Sequence, residues 1–98
     1  MTKRIRDIVA ALSRKGFKPD PTHHLYWHFF LDGKKTTVYT YFSHGDTEIY
    51  GGRINQQARQ MYLSKAQFID FIDCKLDESA YTEILVAGGY VKHADPQQ

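Results

Sequence analysis

A chain of 98 residues and 11.4 kDa has room for one hydrophobic core and not for two, so residues 1–98 read as a single domain. With 42% hydrophobic and 24% charged residues it lies outside the disordered class, and no apolar run approaches the ~18 residues of a membrane span. The net charge of +2 conceals an asymmetry, with six Lys/Arg against two Asp over residues 1–20 and three against six over residues 61–98.

The amino-terminal segment predicts a helix. Ile5, Ile8, Val9 and Leu12 recur at the spacing of one helical face, Thr2 is the expected N-cap, and Gly16 supplies the left-handed stop. Arg14 and Lys15 fall in the last turn, where they complement the helix dipole, and Lys3, Arg4 and Arg6 face water. Met1 to Ser13 lacks the apolar stretch of a secretion signal, and Asp7 argues against a transit peptide, so the cytoplasm is the expected compartment.

Residues 17–20 are extended but bracketed by Pro19 and Pro21, which restricts them to a sheet edge or a lead-in. Two stronger strands follow, His23–Leu31 and Lys34–Ser43, both rich in aromatic and β-branched residues. Asp32-Gly33 between them is a hairpin turn. Gly45–Arg53 reads as a loop, Ile54–Tyr62 as a helix, and Ser64 as the N-cap of another helix with Phe68, Ile69 and Ile72 on its apolar face. Asp77 caps a last helix through Ala87, closed by Gly88-Gly89, whose Tyr81, Ile84 and Leu85 should pack on the rest of the chain. The order α-β-β-β-α-α-α is that of an α+β fold.

Four of the five histidines, His23, His24, His28 and His44, crowd into residues 23–44. A two-residue hairpin loop would set His23 opposite Phe42 and His44 two residues further along the same face, about 7–8 Å away. A bulge would instead bring His24 onto a face with His44. Imidazoles exchange protons near neutral pH, so such a pair suits metal-free RNA cleavage, with one ring as base and the other as acid. Merely polar rings at a sheet rim are the alternative.

No paired Cys/His spacing marks a metal site, and His24 and His28 on one strand would be roughly 13 Å apart. No metal and no cofactor is therefore expected. Tyr26, Phe30, Tyr39 and Tyr41 fall on the face away from Trp27, Phe29 and Val38. They could stack on unpaired bases, lie under a protein partner or join the core. Cys74 follows Phe71 and Ile72 and reads as a small buried thiol.

Several short motifs occur in a telling order: Gly16-Phe17, Thr22-His23-His24, Asp32-Gly33, Ser43-His44-Gly45 with Glu48-Ile49, and Ala58-Arg59-Gln60-Met61-Tyr62-Leu63-Ser64. Together they resemble HicA-type toxins of toxin–antitoxin pairs over roughly residues 5–72. The resemblance implies a double-stranded-RNA-binding-like α-β-β-β-α core over residues 1–73, with residues 74–98 as a helical extension packed on it. It further implies metal-independent endoribonuclease activity on mRNA and inhibition by a HicB-like antitoxin. The family's catalytic histidine corresponds to His23.

The expected site is thus His23 as base and His44 or His24 as acid or phosphate holder, with Arg4, Arg6, Arg14, Lys15 and Lys18 contacting RNA phosphates. Two other readings stay open: a non-catalytic nucleic-acid-binding module of the same fold, and an interaction protein whose acidic tail helices hold another chain. In a variant of the former, Ile54–Ile72 would form a helix-turn-helix, although Asp70 and Asp73 would repel phosphate there.

Overall fold

The computed structural model describes residues 2–93 as an α+β fold. In chain order the elements are β1 (Thr2–Arg4), α1 (Ile5–Arg14), β2 (Phe17–Pro19), β3 (Tyr26–Leu31) and β4 (Lys34–Tyr41). They continue with β5 (Glu48–Tyr50), α2 (Gly52–Gln60), α3 (Lys65–Ile72) and α4 (Glu78–Ala87). Strands β2, β3 and β4 form an antiparallel sheet in that order, and β1 pairs with β5 in a separate two-stranded ribbon.

The ribbon departs from the sequence reading at both of its strands. Thr2 does not cap α1; it pairs with Tyr50, and the capping position is taken by extended Arg4, which makes no side-chain cap. The first helical donor is satisfied from β5's side of the ribbon, where Ile5 N–H donates to the Thr47 carbonyl at 2.9 Å. Pairing Lys3 with the fully buried Ile49 ties the amino terminus to a segment expected to be loop.

The hairpin turns at Asp32-Gly33, with both residues at positive φ (53° and 80°), as a two-residue primed turn requires. Beside the turn, Leu31 pairs with Lys34 and Phe30 with Lys35. Beyond an irregularity the pairs are His28–Tyr39, Trp27–Thr40 and Tyr26–Tyr41, so Phe29 faces Thr36 to Val38. Thr36 stabilises this bulge: its hydroxyl donates to the Phe29 carbonyl (2.7 Å) and accepts from Val38 N–H (3.2 Å). The pairing slips by an even number of residues, so each side chain keeps its expected face although its partner changes. Phe29, Val38, Thr40 and Phe42 are accordingly buried, while Tyr26, Tyr39 and Tyr41 are exposed.

The covered face meets all four helices. Ile8, Ala11 and Leu12 of α1, Ile54 and Ala58 of α2, Phe68 and Phe71 of α3, and Tyr81 and Leu85 of α4 are buried in one cluster with Phe29 and Val38. At its centre Phe17, Phe29, Phe71 and Tyr81 pack with ring centroids 5.1–6.3 Å apart. Strand β2 lies at the sheet edge, which accommodates Pro19. Ser64 caps α3 through a reciprocal capping box with Gln67, and Asp77 caps α4 by accepting from Ala80 N–H. The α4 helix packs on the core as its apolar stripe requires; the last residues of the expected extension, 94–98, lie outside the described residues.

Candidate functional site

The loop joining β2 to β3 is organised by one carboxylate. Asp20 Oδ1 accepts from Thr22 N–H (2.8 Å), the Thr22 hydroxyl (2.7 Å) and His23 N–H (3.1 Å), and Oδ2 lies 3.0 Å from His28 Nε2. These hydrogen bonds, led by the Thr22 hydroxyl and backbone, hold the Asp20 carboxyl well below the usual carboxylate range. The loop closes where Asp20 N–H donates to the Tyr26 carbonyl and Tyr26 N–H to the His23 carbonyl, each at 2.8 Å. The backbone bearing His23 is thereby fixed, while its imidazole is exposed and lies 5.9 Å from the Tyr26 ring. Asp20 was not among the expected site residues; an Asp ahead of Pro21-Thr22 has the composition of an Asx turn and was its signal.

His24 and His44 are also exposed, and none of the three histidines belongs to a strand: β3 begins at Tyr26 and β4 ends at Tyr41, short of the expected His23 and Ser43. The ladder stops at the Tyr26–Tyr41 pair, with one further bond from Phe42 N–H to the Leu25 carbonyl (3.1 Å). His44 sits in a turn closed by Asp46 N–H donating to the Ser43 carbonyl. The strict hairpin register, with Phe42 opposite His23, is thus replaced: the bulge moves Phe42 next to Leu25, and His23 and His44 sit on two loops at the same end of the sheet. Among the described residues, no group of three His, Cys, Asp or Glu side chains is placed to hold a metal ion.

The basic residues of the amino-terminal region do not form one open strip. Lys15 is buried, and its ammonium donates to the carbonyls of Phe71 and Leu76, so it is not a surface phosphate contact. The sequence could not reveal this, because both acceptors lie more than fifty residues away. Arg14 approaches the Cys74 sulfur at 3.2 Å, and Lys3 pairs with Asp73 at 3.0 Å. Cys74 is exposed, contrary to the buried thiol expected, because α3 ends at Ile72 and Cys74 takes a left-handed conformation (φ 64°) that turns it away from the helical face. Arg4 and Arg6 border a hollow of about 530 Å³ with Ile5 and Val9, facing Asp46 and Glu48. Lys18 lies on the open face of the sheet, its ammonium 4.7 Å from the centre of the Phe30 ring.

That open face carries a cluster of exposed tyrosines. Tyr26, Tyr39 and Tyr41 have centroids 5.1–6.4 Å apart and interplanar angles of 20–25°, and His28 lies 5.9 Å from Tyr39. Beyond β4 the surface drops into a cleft of about 280 Å³ lined by Thr37, Tyr39, Tyr41, Arg59, Gln60 and Tyr62. Gln60 and Gln57 fix one wall: the Gln60 side-chain carbonyl accepts from Tyr41 N–H, and the Gln57 amide donates to the Tyr41 carbonyl. No family model, curated protein or solved structure matches the chain.

Proposed function

We propose that this chain is a HicA-like RNA-directed endoribonuclease, acting without a metal and held in check by a HicB-like antitoxin. The succession α1, β2-β3-β4 and, after the short β5 of the separate ribbon, α2 supports a double-stranded-RNA-binding-like core, with helices on one sheet face and the other face open. The observation that carries the reading is His23: an exposed imidazole in the loop leading into the middle strand, on a backbone fixed by Asp20.

In this chemistry the neutral His23 ring accepts the proton of a ribose 2′-hydroxyl. The freed oxygen attacks the adjacent phosphorus and the bond to the next nucleotide's 5′-oxygen breaks. That leaving oxygen takes a proton from an acid, for which His44 and His24, exposed at the same end of the sheet, are the candidates. Of the expected phosphate contacts Arg4, Arg6, Arg14, Lys15 and Lys18, burial removes Lys15, and Lys18 is the one that lies on the open face of the sheet.

Incubating the wild type, His23→Ala, His24→Ala and His44→Ala with single-stranded RNA in chelator tests this reading. Loss of the base costs ~10²–10⁴-fold in rate, so cleavage should survive chelation and fall by that factor in His23→Ala while its melting temperature is unchanged. RNA bound but left intact by the wild type would make the chain a binding module and reject the nuclease.

A further inference from the structure

We infer that the substrate strand runs over the open face of the sheet, from His23 across Tyr26, Tyr41 and Tyr39 into the Arg59–Tyr62 cleft, and that it is single-stranded RNA with unpaired bases. This inference rests on the RNA-directed reading above and names the surface that holds the strand.

Four observations lead there. First, the three tyrosines share one orientation to within 25°, are each more than a third exposed, and are set on the paired strands β3 and β4. Flat rings so presented stack on any base, because every base has a π face. Second, His23 touches this array at its near end through Tyr26, so a strand lying on the tyrosines passes the imidazole.

Third, the charge suits a polyanion. No ladder residue of β2, β3 or β4 is acidic, Lys18 and Lys35 flank Phe30 on this face, and Asp20 beside it is occupied by Thr22, His23 and His28. Fourth, the far end offers a cleft of about 280 Å³ beside Tyr39, Tyr41 and Tyr62, with the exposed Arg59 on its wall. Arg59 makes no ion pair among the described residues. Tyr62 is stacked on Tyr90 at 3.9 Å, which stiffens that wall.

A duplex does not fit this description, since its bases are already stacked on one another and present only edges and backbone. The α1 surface is the less suitable track, because Lys15 is buried and Lys3 is paired with Asp73.

The test uses fluorescence anisotropy in chelator with a short, unstructured, fluorescein-labelled RNA whose 2′-hydroxyls, like those of the competitors, are methylated so that the proposed nuclease cannot cut it. Unlabelled single-stranded RNA of the same sequence and its blunt duplex serve as competitors. Tyr39→Ala should weaken binding by about 5- to 150-fold, the loss of one stacked base, whereas Tyr39→Phe should stay within about twofold because the ring is kept. Arg59→Gln should lower the slope of log affinity against log salt by about 0.7, one phosphate contact on a single strand. The single strand should displace the probe and the duplex should not.

Cleavage and binding that are unaffected in Tyr39→Ala and Arg59→Gln would overturn the track while leaving the nuclease reading standing. Preferential displacement by duplex would overturn it too. Failure of the wild type to bind any RNA would remove both. A concentration-dependent dimer abolished by Tyr39→Ala would assign the face to contact between two copies and so reject the RNA track.

Discussion

Replacing Lys15 with methionine keeps most of the aliphatic stem and deletes the buried ammonium. In the native protein Lys15 is 6% exposed, and its ammonium donates to the carbonyls of Phe71 and Leu76 (the latter at 2.8 Å) and lies 4.8 Å from the centre of the Phe71 ring. It therefore satisfies a carbonyl in the last turn of α3 and another in the connection to α4, joining the end of α1 to both. Each hydrogen bond to a charged donor contributes ~1.5–3 kcal/mol. The native side chain also carries the cost of desolvating its charge, which methionine avoids, so the two bonds do not add in full. A net loss of about 2–4 kcal/mol is expected once both carbonyls are left unpaired. For a domain of this size that corresponds to a fall of roughly 10–25 °C in melting temperature. Urea unfolding followed by Trp27 fluorescence and far-UV circular dichroism measures it. A loss below ~0.5 kcal/mol, the level of an ordinary surface substitution, would refute the assignment of Lys15 as a structural clamp.

Three further outcomes follow from the fold. Tyr81→Phe removes a buried hydroxyl that donates to the Met61 carbonyl at 2.9 Å; burial pushes this phenol up, so it remains a donor, and urea titration should show a loss of about 1–2 kcal/mol. At Gly16 (φ 97°) an added Cβ would sit 2.8 Å from the Phe29 ring and 2.9 Å from the Glu78 carboxylate, so Gly16→Ala should destabilise by about 1–3 kcal/mol in the same assay. Asp20 has a lowered pKa in the folded state, so its contribution to stability is fully present above the ordinary carboxylate value near 3.8 and is lost as pH falls through the folded one. Melting temperatures of wild type and Asp20→Asn should thus differ at neutral pH and converge in acid; a constant gap would contradict the network.

Much of the scaffold was legible because it is written in local chemistry. Asp32-Gly33 permits the two positive φ angles of the hairpin turn, Ser64 and Asp77 carry the oxygens that cap their helices, and Gly16 takes the left-handed position after α1. What escaped depends on distant partners. β1 and β5 are three residues each, too short for alternation to declare itself, and exist because they pair with each other. The hairpin bulge is held by the Thr36 hydroxyl, which substitutes for a ladder partner that periodicity takes for granted. Face assignment survived because the slip is even; the relation of His23 to His44 did not, because it depended on the register itself. Lys15 follows the same rule, having the composition of a surface cation and a pair of acceptors far along the chain.

The central claim is that His23 removes a 2′-hydroxyl proton, and product chemistry tests it most directly. Wild-type protein in chelator should cut an unstructured RNA to fragments ending in a cyclic phosphate, and the same RNA bearing a single 2′-deoxyribose at the cleaved position should resist cutting there. Cleavage of the deoxy-substituted strand at that position, or fragments that form with an unmodified 3′-hydroxyl, would contradict the mechanism and with it the role given to His23.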